Sequence, residues 1–157
     1  MMKQDRILWI VVAILLIAVV VLLSYIQFFQ QKQVVIESAK LNPECQLTAF
    51  PCRVQLNSGA TVQLTISPQP VEVMKPLDVR VDLEQIEANR VVAQFNGVGM
   101  NMGINRYIFS RHQDGSYRAT VTLPICVRNR MDWEAEIQLE TDQGIIIAPY
   151  KFETIKN

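Results

Sequence analysis

The chain is poor in the residues that most protein active sites use. It has one histidine, His112, and three cysteines among 157 residues. G-x-S-x-G, H-E-x-x-H, C-x-x-C and Walker motifs are all missing from it. One histidine cannot build a His-rich zinc site, nor a blue-copper site, which needs two histidines and a cysteine. We therefore expect no catalytic residues and no enzyme activity.

Charge of one sign is also lacking, since 15 Lys and Arg residues balance 15 Asp and Glu residues. A nucleic-acid footprint needs clustered basic side chains, and none is found along the chain. We expect no nucleic-acid partner.

A long apolar run is present near the N-terminus. Residues 7–26 are apolar except for Ser24 and Tyr25, and a helix of this length covers roughly 30 Å, the thickness of a bilayer's hydrocarbon core. Trp9 and Tyr25 fall near its two ends, where amphipathic rings settle at the headgroups. The run predicts a transmembrane helix in a lipid bilayer, preceded by a tail at residues 1–6.

The charges flanking this run predict its orientation. Lys3 and Arg6 precede it and only Lys32 closely follows it, so the positive-inside rule places the tail in the cytoplasm. A cleaved signal peptide is the rival interpretation, but it has a shorter apolar core and an A-x-A-like site, which this chain lacks after the run. We expect an uncleaved signal-anchor in a bacterial inner membrane, a linker at 27–44 and a periplasmic domain at 45–157.

The sequence of the domain predicts a series of short strands that are separated by turns. Residues 61–66 and 77–83 alternate apolar and polar side chains, which is typical of half-buried strands. Asp114-Gly115 is a strong hairpin signal. Seven or eight such strands without a second helix predict an all-β fold, an immunoglobulin-like β-sandwich. A small antiparallel barrel is the alternative, because periodicity does not separate the two.

The predicted periplasmic location bears on the three cysteines, since disulfides persist outside the cytoplasm. Cys45 and Cys52 are the preferred pair, and their bridge would stabilise the domain by about 2–3 kcal/mol on the chain-entropy model. Two other single bridges remain open. Cys126 would then be the odd thiol, serving as a buried inert side chain, a metal ligand or an intermolecular partner.

Two methionines lie between glycines in the segment 97–103. If the segment is extended, Met100 and Met102 point to the same side, because side chains alternate with period two. Thioethers are soft ligands that suit Cu(I). The alternative is that both methionines fill an irregular gap in the core.

Three further residues are candidate ligands. Cys126 and Met131 lie between two predicted strands and supply a thiol and a third thioether. His112 lies beside the hairpin turn, where it is either a ligand at the end of a loop or an ordinary exposed side chain.

The order of these features resembles the YtkA-like and FixH-like families. It consists of Gly99-Met100-Asn101-Met102-Gly103, then Asp114-Gly115-Ser116-Tyr117, then Trp133 in an alternating strand, and the resemblance covers residues 60–152. These families are small membrane-anchored or exported immunoglobulin-like domains linked to copper handling and haem-copper oxidase assembly. In this chain Val98-Gly99 replaces the proline-containing part of their methionine segment. The cysteine pair and the Leu-Pro-x-Cys segment suggest a distinct proteobacterial inner-membrane subgroup.

The first functional hypothesis is therefore a periplasmic accessory protein that binds Cu(I). Met100 and Met102 would hold the ion, helped by Cys126 and by Met131 or His112, and a haem-copper oxidase or a copper chaperone would be the partner. A metal-free scaffolding module for an inner-membrane complex is the alternative. A thiol-redox partner using the three cysteines is the third.

Overall fold

The structure, a computed structural model, describes residues 2–29, 34–45, 47, 50–125 and 127–156. The chain divides into two compact units, Met1–Gln33 and Val34–Asn157. Among the described residues, the first contains the one helix and the second contains every strand.

Helix α1 spans Met2–Phe29. Glycine and proline are absent from this stretch, and its leucine, isoleucine and alanine residues tolerate the helix well. Side chains are described for Ile7 and for residues 9–25, and the large apolar ones among them are exposed. Within the described residues, no helix combines the length and the hydropathy that a membrane span requires.

The second unit is built from strands, which confirms the predicted all-β class. Its strands are β1 Val35–Ser38, β2 Cys52–Gln55, β3 Thr61–Ser67, β4 Pro76–Glu84, β5 Arg90–Gly97, β6 Arg106–Ile108, β7 Ser110–Arg111, β8 Tyr117–Thr122, β9 Arg130–Thr141 and β10 Gly144–Ile155.

These strands form two five-stranded sheets, in the orders β1-β10-β9-β5-β6 and β2-β3-β4-β8-β7. All neighbours are antiparallel except β1, which runs parallel to β10. Each sheet ends in two edge strands, so the pair is a β-sandwich rather than the closed barrel that the sequence had left open.

One apolar core lies between the sheets, because alternate side chains of each strand point inward. Leu77, Val79 and Val81 on β4 are buried as their alternation predicts. The buried hydroxyl of Tyr150 on β10 donates to the carbonyl of Val62 on β3 at 2.7 Å and ties the sheets together. Burial raises the pKa of this phenol above its ordinary value.

Strand β1 extends the domain beyond its predicted start at residue 45. Residues 35–38 pair with β10, and the Ala39 N–H donates to the Ile147 carbonyl at 2.8 Å. Part of the predicted linker 27–44 is therefore a strand of the sandwich, paired through its backbone at the edge of the sheet, while its apolar side chains Val35 and Ile36 are exposed.

The loops gather at two opposite ends of the sandwich. The Gly97 end comprises residues 43–51, 68–75, 98–105 and 123–129, so far as they are described, and backbone bonds such as Met74 N–H to Leu123 O join loops of this end. The Gly144 end comprises 56–60, 85–89, 112–116 and 142–143. The chain enters the domain at the Gly144 end, where the Val34 carbonyl accepts from Ile145 N–H.

Candidate thioether site

Strand β5 ends at Gly97, directly opposite Trp133 of β9. The next residue continues this pairing, since Val98 N–H donates to the Asp132 carbonyl at 2.9 Å. The following loop therefore begins beside the first residues of β9, where Met131 lies.

Gly97 forms the floor of a small cluster of methionines. A Cβ built on this glycine would lie 2.7 Å from Met102 Cγ, 2.8 Å from the Met100 carbonyl oxygen and closer still to Met131 Cε. The side chains of Met102 and Met131 therefore meet over the bare glycine backbone. Any larger residue at position 97 would occupy the space that they share.

The two methionines differ in exposure. Met131 is buried at 5% exposure, whereas Met102 is partly buried, and both pack against the core. Met100 is partly buried beside them. The cluster thus runs from the core to the surface of the Gly97 end.

The segment that carries Met100 and Met102 is a loop and not the extended strand that the period-two argument assumed. Gly99 and Gly103 both have φ of +76°, a backbone conformation that favours glycine. The Asn101 side chain accepts from Gly103 N–H at 2.9 Å, and Asn105 Nδ2 donates to the Met102 carbonyl at 3.1 Å. These two bonds hold the backbone on both sides of Met102.

Aromatic rings form the core beneath the cluster. Phe95 meets Phe152 edge-on at 6.0 Å, and Phe152 stacks on Trp133 at 6.4 Å. The Trp133 indole donates to the Thr154 hydroxyl at 3.0 Å, and Thr154 pairs with Met131 across β9 and β10. The methionines consequently sit on a rigid base.

His112 lies elsewhere, in the turn between β7 and β8 at the Gly144 end. Its backbone N–H donates to the Ser116 carbonyl at 2.8 Å. The hydroxyl of the next residue, Tyr117, donates to the carbonyl of Ala88, which lies just before the start of β5. Gly97 closes the other end of that eight-residue strand, about 25 Å away. The structure does not bring His112 together with the methionines.

The same turn contains a carboxylate with a perturbed pKa. The hydroxyl and N–H of Ser116 bond Asp114, and Arg118 pairs with it, so the pKa of Asp114 is well below its ordinary value. This arrangement stabilises the turn, and no metal-binding group is associated with it among the described residues.

The predicted bridge between Cys45 and Cys52 is confirmed, with Cα atoms 5.6 Å apart. It lies at the Gly97 end, where Cys45 lines a groove together with Leu47 and Val98. Cys126 lies outside the described residues, and its predicted role as a ligand stays a prediction.

The chemistry of the described donors suits a soft monovalent cation. His, Cys, Asp and Glu side chains of these residues form no group of three that could hold a metal ion. Met102 and Met131 supply two neutral sulfurs, with a third on Met100, and thioethers select Cu(I). These are the residue types that Cu(I) prefers, and the atoms that approach one another over Gly97 are Met102 Cγ and Met131 Cε.

Sequence reasoning named all three methionines but missed the role of Gly97. Its missing side chain lets Met131, 34 positions away, reach Met102. A glycine at the end of an otherwise regular strand was the available signal, since such a glycine often marks a close approach of other atoms.

Comparison of the chain with protein-family models, with curated proteins and with solved structures gave no match in any of the three.

Proposed function

We propose that this chain is a membrane-anchored accessory protein that binds Cu(I) at the Gly97 end. The observation that carries the proposal is the meeting of Met102 and Met131 over Gly97. Two methionine side chains that converge on one point above a rigid base would form a soft site at little cost in side-chain ordering. The partner would be a haem-copper oxidase or a copper chaperone, as the family resemblance implies.

The thioether side chains of the three methionines support this function. Met131 would be the inner ligand and Met102 the outer one, with Met100 able to approach from the loop. The thioether sulfurs are uncharged. The metal-free site can therefore lie against the apolar core without the cost of burying a charged side chain.

The test is a Cu(I) competition assay with bicinchoninate on the purified full-length chain. Wild type should withdraw one equivalent of Cu(I) from the chelator, and Met102→Leu with Met131→Leu should weaken the affinity at least tenfold. Leucine keeps most of the packing, since such exchanges cost under about 1.5 kcal/mol. Met74→Leu is the matched control, because Met74 is exposed at the same end but outside the cluster.

Equal affinity of wild type and the double variant would refute the site. Cys126→Ser in the same assay decides whether that thiol takes part. A further loss of affinity would add Cys126 to the ligands, and an unchanged value would leave the thioethers alone.

The anchor is part of the proposal. The apolar run at 7–26 and the unbroken helix Met2–Phe29 support a membrane span with the tail inside. The chain should stay in the membrane pellet after alkaline carbonate extraction, and protease should reach its C-terminal domain in spheroplasts. Release into the supernatant would contradict the anchor.

The immunoglobulin-like identity of the sandwich is also proposed. The orders β3-β4-β8-β7 and β10-β9-β5-β6 match the A-B-E-D and G-F-C-C′ orders of immunoglobulin domains. Strands β1 and β2 would be additions at one side. A crystal structure in which β7 pairs with β6 rather than β8 would contradict this assignment.

A further inference from the structure

Trp133 lies in the middle of a row of three residues on neighbouring strands. Its partner on one side is Gly97 of β5, and its partner on the other side is Phe152 of β10. Trp133 and Phe152 belong to the core, and directly opposite residues of a sheet share one face. The indole therefore has an aromatic neighbour on one side and a bare backbone on the other.

The two sides of the indole are covered in different ways. Phe152 stacks on it, with ring centroids 6.4 Å apart and planes inclined by 15°. On the side of β5 the strand itself supplies no side chain, because the residue there is Gly97. Met102 and Met131 fill that position instead, and Met102 Cγ lies 2.7 Å from the point where a Cβ of Gly97 would be.

The register indicates how near these methionines come to Trp133. Directly opposite Cβ atoms of an antiparallel pair are about 5 Å apart, so the vacant Cβ position of Gly97 is about that far from Trp133 Cβ. Met131 precedes Trp133 on the same face of β9, and its Cε reaches the same position. Because the sulfur of methionine is bonded to both Cγ and Cε, each sulfur is one bond from an atom at this position.

A cation at the two sulfurs would have no carboxylate of β9 beside it. Asp132 and Glu134 occupy the alternate positions of this strand, so they lie on the opposite face of the sheet. Neutral thioethers do not balance a positive charge. The face of an indole attracts a cation more strongly than the other aromatic side chains do, above all in a desolvated position, and Trp133 is 0% exposed.

We propose that the indole of Trp133 is a third contact of the cation, beside the thioethers of Met102 and Met131. This inference rests on the proposed Cu(I) function and extends it, because it assigns a binding role to a residue that otherwise only fills the core. The ligand is a soft monovalent cation, Cu(I) or Ag(I), held by neutral sulfurs and one π face.

The fluorescence of the full-length chain tests this contact. In a background of Trp9→Phe with Cys126→Ser, Trp133 is the one remaining tryptophan and the competing free thiol is gone. Saturating Cu(I) under nitrogen, or Ag(I) as its air-stable substitute, should quench more than half of the Trp133 emission, since a heavy cation quenches an indole most strongly at contact. Met102→Leu with Met131→Leu in the same background should abolish the quenching.

The affinity for Cu(I) in competition with bicinchoninate gives an independent measure. Trp133→Phe keeps a ring in the core but offers a weaker π face, so we expect a several-fold loss of affinity, and Trp133→Leu should lose at least tenfold. Phe152→Leu is the matched control, because it removes a buried ring from the other side of the indole and should leave the affinity unchanged. Urea denaturation separates a loss of affinity from a loss of folding, and Trp133→Phe decides if the leucine variant does not fold.

The outcomes distinguish this inference from the proposed function. Failure of wild type to bind Cu(I) would overturn both. Cu(I) binding without quenching of Trp133 would overturn the π contact alone and leave the thioether site in place. Quenching that persists in the double methionine variant, or equal affinity of wild type and Trp133→Phe, would overturn the π contact as well.

Discussion

Adding one methyl group at Gly97 tests the arrangement of the methionines directly. The new Cβ of Gly97→Ala would lie 2.7 Å from Met102 Cγ and 2.8 Å from the Met100 carbonyl oxygen. Met131 is buried, so its side chain cannot leave this position without a cost, and the carbonyl belongs to the backbone, so the loop must move as well. Overpacking of this kind costs about 1–3 kcal/mol.

The net loss is smaller because alanine restricts the unfolded chain more than glycine does, which returns about 0.4–1 kcal/mol. We expect the free energy of unfolding to fall by about 1–2 kcal/mol, which corresponds to a drop of ~4–8 °C in Tm. Urea denaturation of the full-length chain in mild detergent measures it. In a Trp9→Phe background the fluorescence reports on Trp133, the residue opposite Gly97.

A double-mutant cycle separates this clash from a general effect of the substitution. Met131→Ala removes the atom nearest the new methyl, so Gly97→Ala should cost at least about 1 kcal/mol less in that background. Gly99→Ala is the control, because its Cβ meets nothing within 4 Å and its cost comes from φ alone. If the losses of unfolding free energy caused by Gly97→Ala and Met131→Ala add to within about 0.5 kcal/mol, Met131 does not lie over Gly97.

Two further predictions concern the scaffold. Tyr150→Phe should lower the free energy of unfolding by about 1–2 kcal/mol, since the Val62 carbonyl loses a buried donor; an unchanged urea midpoint would contradict the bond. Because the pKa of Asp114 is lowered by folding, its contribution to stability is present above the unfolded pKa of about 3.9 and is lost as pH falls through the lower folded pKa. The stability difference between wild type and Asp114→Asn should therefore shrink as pH falls below about 4, and a constant difference in Tm across that range would contradict the perturbed carboxylate.

Local pattern was sufficient for much of the scaffold. The alternation in residues 61–66 and 77–83 predicts the strands and the buried face of each, because strand side chains repeat with period two. The short spacing between Cys45 and Cys52 favoured their pairing over the other two bridges. The gathering of the loops at two ends was not visible in the same way, since the loops are far apart in the chain and only the sheet order brings them together.

Neighbouring residues were enough to predict the all-β class, the position of helix α1 and the candidate methionines. Pairing between distant segments decides which of these side chains meet. The register of β5 with β9 places Met131 over Gly97, and the length of β5 separates His112 from Met102. Register and strand order are properties of pairings between distant segments, and no local pattern of residues encodes the space that one glycine leaves open.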